Sequence, residues 1–308
     1  MARRAEIEYL VVGHVCVDLV GEDRPGPRPY VLGGSATYAA LTARNLGQRV
    51  GVLTSADFEP AIVDTLVGRD NFLVAANDLR VVRLPAAETT CFVNVYEPDG
   101  RRQQVLALAE PLRAEHVPTA WRGARVVHLA PVAREVQLDL VSSFSNALLG
   151  VTPQGWMRDW DGSGRVRPVL WDRAAADVVL ERADVLIFSE EDVPDPAEVG
   201  RYAERARLLV ITEHREGAVV YERGKPPWRS PAFRPARVAD PTGAGDTFAA
   251  GFLTHYHRTG DPRASADYAN CVASFVVERR AWHGLPTPDQ VEERLNRGAR
   301  SQQPGARS

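Results

Sequence analysis

At 308 residues, with 44% hydrophobic and 25% charged side chains, the chain can bury one large α/β domain, alone or with a small appendage. Lysine plus arginine (37) nearly balance aspartate plus glutamate (40), which excludes a general nucleic-acid binder. Cys16, Cys91 and Cys271 are odd in number, far apart and without metal-ligand spacing, so no disulfide framework is expected and a reducing compartment is. The apolar run after Arg3-Arg4 is short and stops at Gly13-His14, which suits a strand better than a signal peptide. With no stretch of membrane-spanning length, a cytoplasmic location is the expectation. Lys225 is the only lysine, and Pro226-Pro227 follows it. A nucleotide loop that needs a lysine followed by Ser or Thr is therefore excluded.

In chain order, Tyr9-Leu10-Val11-Val12-Gly13 reads as a buried strand that Val15 to Val20 continues. Asp18 is a carboxylate among apolar neighbours, either a solvent-facing strand end or a functional group. Arg24 to Pro29 is a turn-rich connector, and Gly33-Gly34 opens a small-residue helix that runs to Leu46-Gly47. Gln48 to Thr54 is the next strand of a βαβ unit. Three strand-like runs follow at Arg80–Leu84, Thr90–Tyr96 and Gln103–Leu108, with Pro98-Asp99-Gly100 as a hairpin turn. This β-rich block is either a lid sheet or a long hairpin decorating the main sheet. Alternation resumes at Val126–Pro131, and Leu148–Thr152 is a further strand with Pro153 to Arg158 at its C-terminal end, where open parallel sheets bind ligands. Val185–Phe188 and Leu208–Thr212 are buried strands leading into Ser189-Glu190-Glu191-Asp192 and Glu213 to Gly217. Ala264 to Arg279 is an amphipathic helix holding Asn270, Asp289 to Arg297 is a last helix, and 298–308 reads as a disordered tail.

The densest chemistry lies at Asp240-Pro241-Thr242-Gly243-Ala244-Gly245-Asp246-Thr247-Phe248. Two glycines free the backbone just where a helix with a Phe248/Phe252/Leu253 stripe begins, so several N–H groups converge at the positive end of its dipole. Asp246 falls in the first turn, placed to take a proton from a hydroxyl attacking a phosphate held there. A glycine turn with an acidic helix start is the plainer alternative.

The full run resembles the signature of the ribokinase-like, or PfkB-type, carbohydrate kinases. The resemblance implies a doubly wound, mostly parallel α/β sheet with helices on both faces and a small β lid. That fold would occupy 1–297 as a single domain, with lid strands from about 14–32 and 80–109. It also implies phosphorylation of a hydroxyl by ATP with Mg²⁺, admits a monovalent cation, and is compatible with a monomer or homodimer. Carried over residue by residue, Gly243, Ala244 and Gly245 form the anion hole and Asp246 is the catalytic base. Asp18, Gly33, Gly34, Tyr38 and Gln154 fall at the acceptor, with Tyr38 where the pattern usually has Asn. Thr212, Gly217, Thr242, Asn270 and Arg158 fall at the nucleotide, with His214 in place of a loop glycine. Ser189 and Asp192 shorten the usual Asn-x-x-Glu pair that positions metal-bound water. For Asn270, core packing is the alternative; for Arg158, a surface position; for Ser189 and Asp192, an acidic helix start.

The Gln154-Gly155-Trp156-Met157-Arg158 run is similar to the myo-inositol kinase branch and points to a cyclitol or sugar acceptor. A nucleoside is the alternative within the family. The departures at Tyr38, Ser189 and His214 suggest a rival class, a non-catalytic polyol or nucleotide sensor. A Rossmann oxidoreductase lacks its Gly-x-Gly-x-x-Gly after the first strand.

Overall fold

Tyr9 and Val11 bury against one face of a sheet, and Leu10 and Val12 against the other, as the period of two in a strand requires. The computed structural model describes residues 6–19, 30–57, 78–97 and 100–301. Along the first part of the chain lie β1 (Tyr9–Val12), β2 (Cys16–Leu19), β3 (Tyr30–Gly33), α1 (Ser35–Asn45), β4 (Val50–Ala56), β5 (Leu79–Pro85), β6 (Cys91–Glu97) and β7 (Gly100–Ala107). Next come β8 (Val126–Leu129), β9 (Leu148–Val151), β10 (Arg158–Trp160), β11 (Val166–Pro168), α2 (Arg173–Arg182), β12 (Val185–Ser189) and α3 (Ala197–Arg205). The last part holds β13 (Leu208–Thr212), β14 (Ala218–Glu222), β15 (Trp228–Ser230), α4 (Ala244–Thr259), α5 (Pro262–Val276) and α6 (Pro288–Ser301).

Among the described residues the large sheet has the order β15-β14-β13-β12-β9-β8-β1-β4-β5. Every pairing from β13 to β5 is parallel, and β14 and β15 add an antiparallel edge. The strand order reverses at β1, and in open sheets of this kind ligands gather beyond the C-terminal strand ends at such a point. On one face, Ala36, Ala39 and Ala43 of α1 and Phe248 and Phe252 of α4 pack on Val11, Val52, Val126 and Val210. On the other, Val179 and Leu180 of α2 and Tyr202 of α3 pack on Leu10, Leu53, Val127 and Leu209.

The second sheet, ordered β3-β2-β6-β7, is the small lid. Its inner face buries Cys16, Phe92 and Val105 against Val132 and Ala133, which follow β8. Three expectations need correction here. The Arg80–Leu84 run is β5, parallel to β4 at the edge of the large sheet, and so contributes nothing to the lid. The apolar run after His14 does not continue β1: β1 and β2 belong to different sheets, and the break at Gly13–Val15 joins them. Lastly, α6 carries on to Ser301, into the stretch read as a tail. The connector Arg24–Pro29, the Pro98-Asp99 part of the hairpin turn, and 302–308 lie outside the described residues.

Candidate active site

The motif loop is held by its own first residue. Asp240 accepts from the Thr242 N–H (3.0 Å) through one carboxylate oxygen and from the Ala281 N–H (3.1 Å) through the other. Gly243 is the N-cap of α4 in the left-handed region (φ 76°), and a methyl group there would overlap the Tyr38 ring. Glycine is needed at 243 for both reasons. No side chain caps this helix start, Gly245 is exposed and Asp246 is half-buried in the first turn. Farther along α4, Leu253 packs onto Gly150 of β9, and Gly251 lets Val272 of α5 come close. These contacts fix the helix so that its N-terminal end lies over the C-terminal edge of the sheet.

Gln154, in the 3₁₀ turn Pro153–Met157 after β9, turns its amide toward that end. Its Nε2 donates to Ser35 Oγ and lies 3.4 Å from Asp246 Oδ1. Ser35 is the first residue of α1, directly after Gly33 and Gly34. Gly34 has φ 82°, and a methyl there would press on the His14 carbonyl and the Cys16 sulfur. A methyl on Gly33 would overlap the Asp18 carboxylate, so the lid strand β2 rests its acid against the glycine pair. Cys16, next to this glycine pair, is buried; burial pushes its thiol pKa well up, and the charges of Asp18, Glu135, Cys91 and Asp246 push it further.

A second group forms across the ends of β12 and β13. Arg158 pairs with Asp192 (3.4 Å), both largely buried. The other Asp192 oxygen accepts from the Ser189 N–H (3.1 Å), and Ser189 Oγ accepts from the Glu191 N–H (3.3 Å). Exposed His214, at φ 47°, lies 2.9 Å from Glu191. Thr212 ends β13 with its hydroxyl 3.5 Å from the Phe188 carbonyl. Gly217, at φ 99°, takes the space a side chain would need against the Ser230 and Ala232 backbone. Asn270 is buried, and its amide donates to the Ser230 carbonyl (3.0 Å) and hydroxyl (2.8 Å). Tyr38 is likewise buried under the motif loop.

The segment 153–158 thus spans the two groups, Gln154 on one and Arg158 on the other. Reading the sequence missed Ser35, whose signal was its place as first helical residue after the glycine pair. It also missed Glu135, a buried carboxylate that accepts amide protons from His14, Val132 and Ala133, for which no motif exists.

Residues 164–288 match the pfkB family carbohydrate kinase model. A cytidine kinase of Thermococcus kodakarensis is 27% identical over 261 residues, covering 82% of this chain and 89% of that enzyme. The 2-dehydro-3-deoxygluconokinase of Thermoproteus tenax is 29% identical over 318 aligned residues, 94% of this chain and 95% of the relative. In fold, the chain is similar to a pyrophosphate-dependent kinase in the ribokinase family complexed with a pyrophosphate analog and myo-inositol. That match has a TM-score of 0.73 at 20% identity and covers 92% of this chain and 99% of the other.

Proposed function

We propose that the chain is a ribokinase-like kinase of the PfkB type, and that it moves the γ-phosphoryl group of ATP to a hydroxyl of a sugar or cyclitol. One observation carries this reading: a half-buried Asp246 at an uncapped helix start, linked through Gln154 to Ser35 beside the glycine pair. Asp246 takes the proton of the acceptor hydroxyl as its oxygen bonds to phosphorus and the bond to the ADP oxygen breaks. The Gly243–Gly245 amides and the α4 dipole hold the charge on the moving group. Asp18 accepts hydrogen bonds from neighbouring acceptor hydroxyls, which one carboxylate can do in pairs. The lid keeps water from competing for the phosphoryl group.

Among the described residues no group of three or more His, Cys, Asp or Glu side chains could hold a metal. A Mg²⁺ ion carried in on nucleotide phosphates keeps most of its water and needs only one or two protein carboxylates. Asp192, with Ser189, is the group of this chain that would reach such an ion through water, and the bound ion would neutralise phosphate charge. A nucleoside acceptor is the second reading, favoured by the cytidine kinase relative.

Asp246→Asn keeps shape and loses the base. It should lower turnover by roughly 10²–10⁴-fold while donor binding persists. An ADP-release assay with ATP, against sugars, cyclitols and nucleosides, reads both the acceptor and the variant. A parallel pyrophosphate arm, read as orthophosphate release, reads the donor. Turnover near the wild-type level in Asp246→Asn would sink the mechanism, and cytidine preferred over every polyol would overturn the sugar reading.

A further inference from the structure

Three passages of chain between the large sheet and the lid meet at one imidazole. The chain leaves β1 for β2 through Gly13–Val15, enters β6 through Thr90, and leaves β7 through Ala109 and Glu110. His14 is fully buried and reaches the other two passages. Its ring Nε2 lies 3.0 Å from the Glu110 carbonyl, and its Nδ1 lies 2.7 Å from the Thr90 hydroxyl. A carbonyl can only accept, so Nε2 carries a proton and Nδ1 accepts from Thr90. The Thr90 oxygen in turn accepts from the Ala109 N–H (2.9 Å), and the Thr90 carbonyl accepts from the Val17 N–H (2.9 Å). Every donor in this small network faces an acceptor. Behind it, Glu135 in the loop after β8 accepts the His14 N–H (3.0 Å), and Thr54 of β4 accepts the Val15 N–H (2.9 Å), which ties this passage to the large sheet.

We propose that His14 is a positioning residue, the pin that sets the angle of the lid and so holds Asp18 against Gly33 of the glycine pair. The role given to Asp18 rests on the kinase reading; the pin itself does not. Loss of the ring removes hydrogen bonds that join lid to base, while the core beneath α4 and α5 keeps all of its contacts.

The buried cysteines report the difference. Cys16 lies under the lid, and Cys271 lies in the α5–α6 core beside Val272 and Val291. Iodoacetamide labelling of the full chain, resolved by site with mass spectrometry, measures each opening separately. In His14→Ala the Cys16 rate should rise about tenfold, the effect of losing one to two hydrogen bonds, with Cys271 unchanged. Thr90→Val, which keeps the ring and removes its partner, should give the same selective rise. His14→Gln retains one donor and one acceptor and should restore most of the protection. Where a polyol acceptor turns over, the Ala variant should raise its KM several-fold and leave kcat nearly intact, because saturating acceptor repopulates the closed lid. Labelling needs no turnover, so it remains readable if the kinase reading fails. Equal rises at Cys16 and Cys271, or no rise at Cys16, would overturn the pin.

Discussion

Gly243 meets two demands that are separable by experiment. Its left-handed backbone (φ 76°) disfavours any side chain, and the Tyr38 ring fills the space a β-carbon would take. Gly243→Ala should cost about 1–2 kcal/mol for the backbone alone and about 1–3 kcal/mol more for overpacking. In a Tyr38→Ala background only the backbone part should remain. Urea denaturation of the four chains closes that cycle; an equal cost in both backgrounds would mean that the ring does not constrain the loop. The same pair explains a reading the sequence could not supply. Tyr38 stands where the family pattern has Asn, a position that assigns it to the acceptor, yet it is buried beneath the motif loop. A residue's partner across more than two hundred positions leaves no trace in its own neighbourhood.

The elements that were legible are those whose signal is local. Four-residue apolar runs at Tyr9–Val12 and Leu208–Ile211 are buried on both faces, and the sequence declares them. The helix read as Ala264–Arg279 is α5, which runs from Pro262 to Val276: α4 ends at Gly260 in the left-handed region, and Asp261 caps α5 by accepting from Arg263 and Ala264. The β5 strand was misassigned because its mixture of Arg80 and Arg83 with Val81 and Val82 suits the edge of either sheet. Only pairing with β4 decides between them, and that is a non-local fact. The loop after β8 shows the same limit. It folds back around Glu135, 3% exposed, whose oxygens collect the amide protons of His14, Val132 and Ala133. Glu135→Gln puts an NH₂ group against those donors. The variant should lose about 2–3 kcal/mol, as expected when charged hydrogen bonds become unsatisfied buried donors. Chemical denaturation at neutral pH measures this, and a loss below about 0.5 kcal/mol would show that the loop holds without the carboxylate.

At the scale of the whole molecule, the candidate site could be proposed from sequence where it is contiguous, at 240–248 and 33–34. It was illegible where the sheet assembles it from distant strands, as in the Ser35–Gln154–Asp246 link. The large sheet also holds a group that no motif marks. His128 of β8 is fully buried between the Tyr9 hydroxyl (3.1 Å) and the Thr152 hydroxyl (3.1 Å). Burial lowers its pKa from 6.5 to about 3, because an imidazolium there would lose its water. The unfolded chain therefore binds a proton that the folded chain refuses between these values. Stability from this group is complete above pH 6.5 and drains away as the pH falls toward 3. Each unit below the unfolded value costs about 1.4 kcal/mol, so the loss is about 2 kcal/mol by pH 5. That is a large share of the roughly 5–15 kcal/mol that holds a domain together. His128→Gln keeps a donor and an acceptor between the two hydroxyls and cannot titrate in this range. Denaturation free energies at pH 7.5 and pH 5 should therefore differ by about 2 kcal/mol less in the variant than in the wild type. Parallel pH profiles for the two proteins would mean that the ring is protonated within the sheet, and that the acid sensitivity of the fold arises elsewhere.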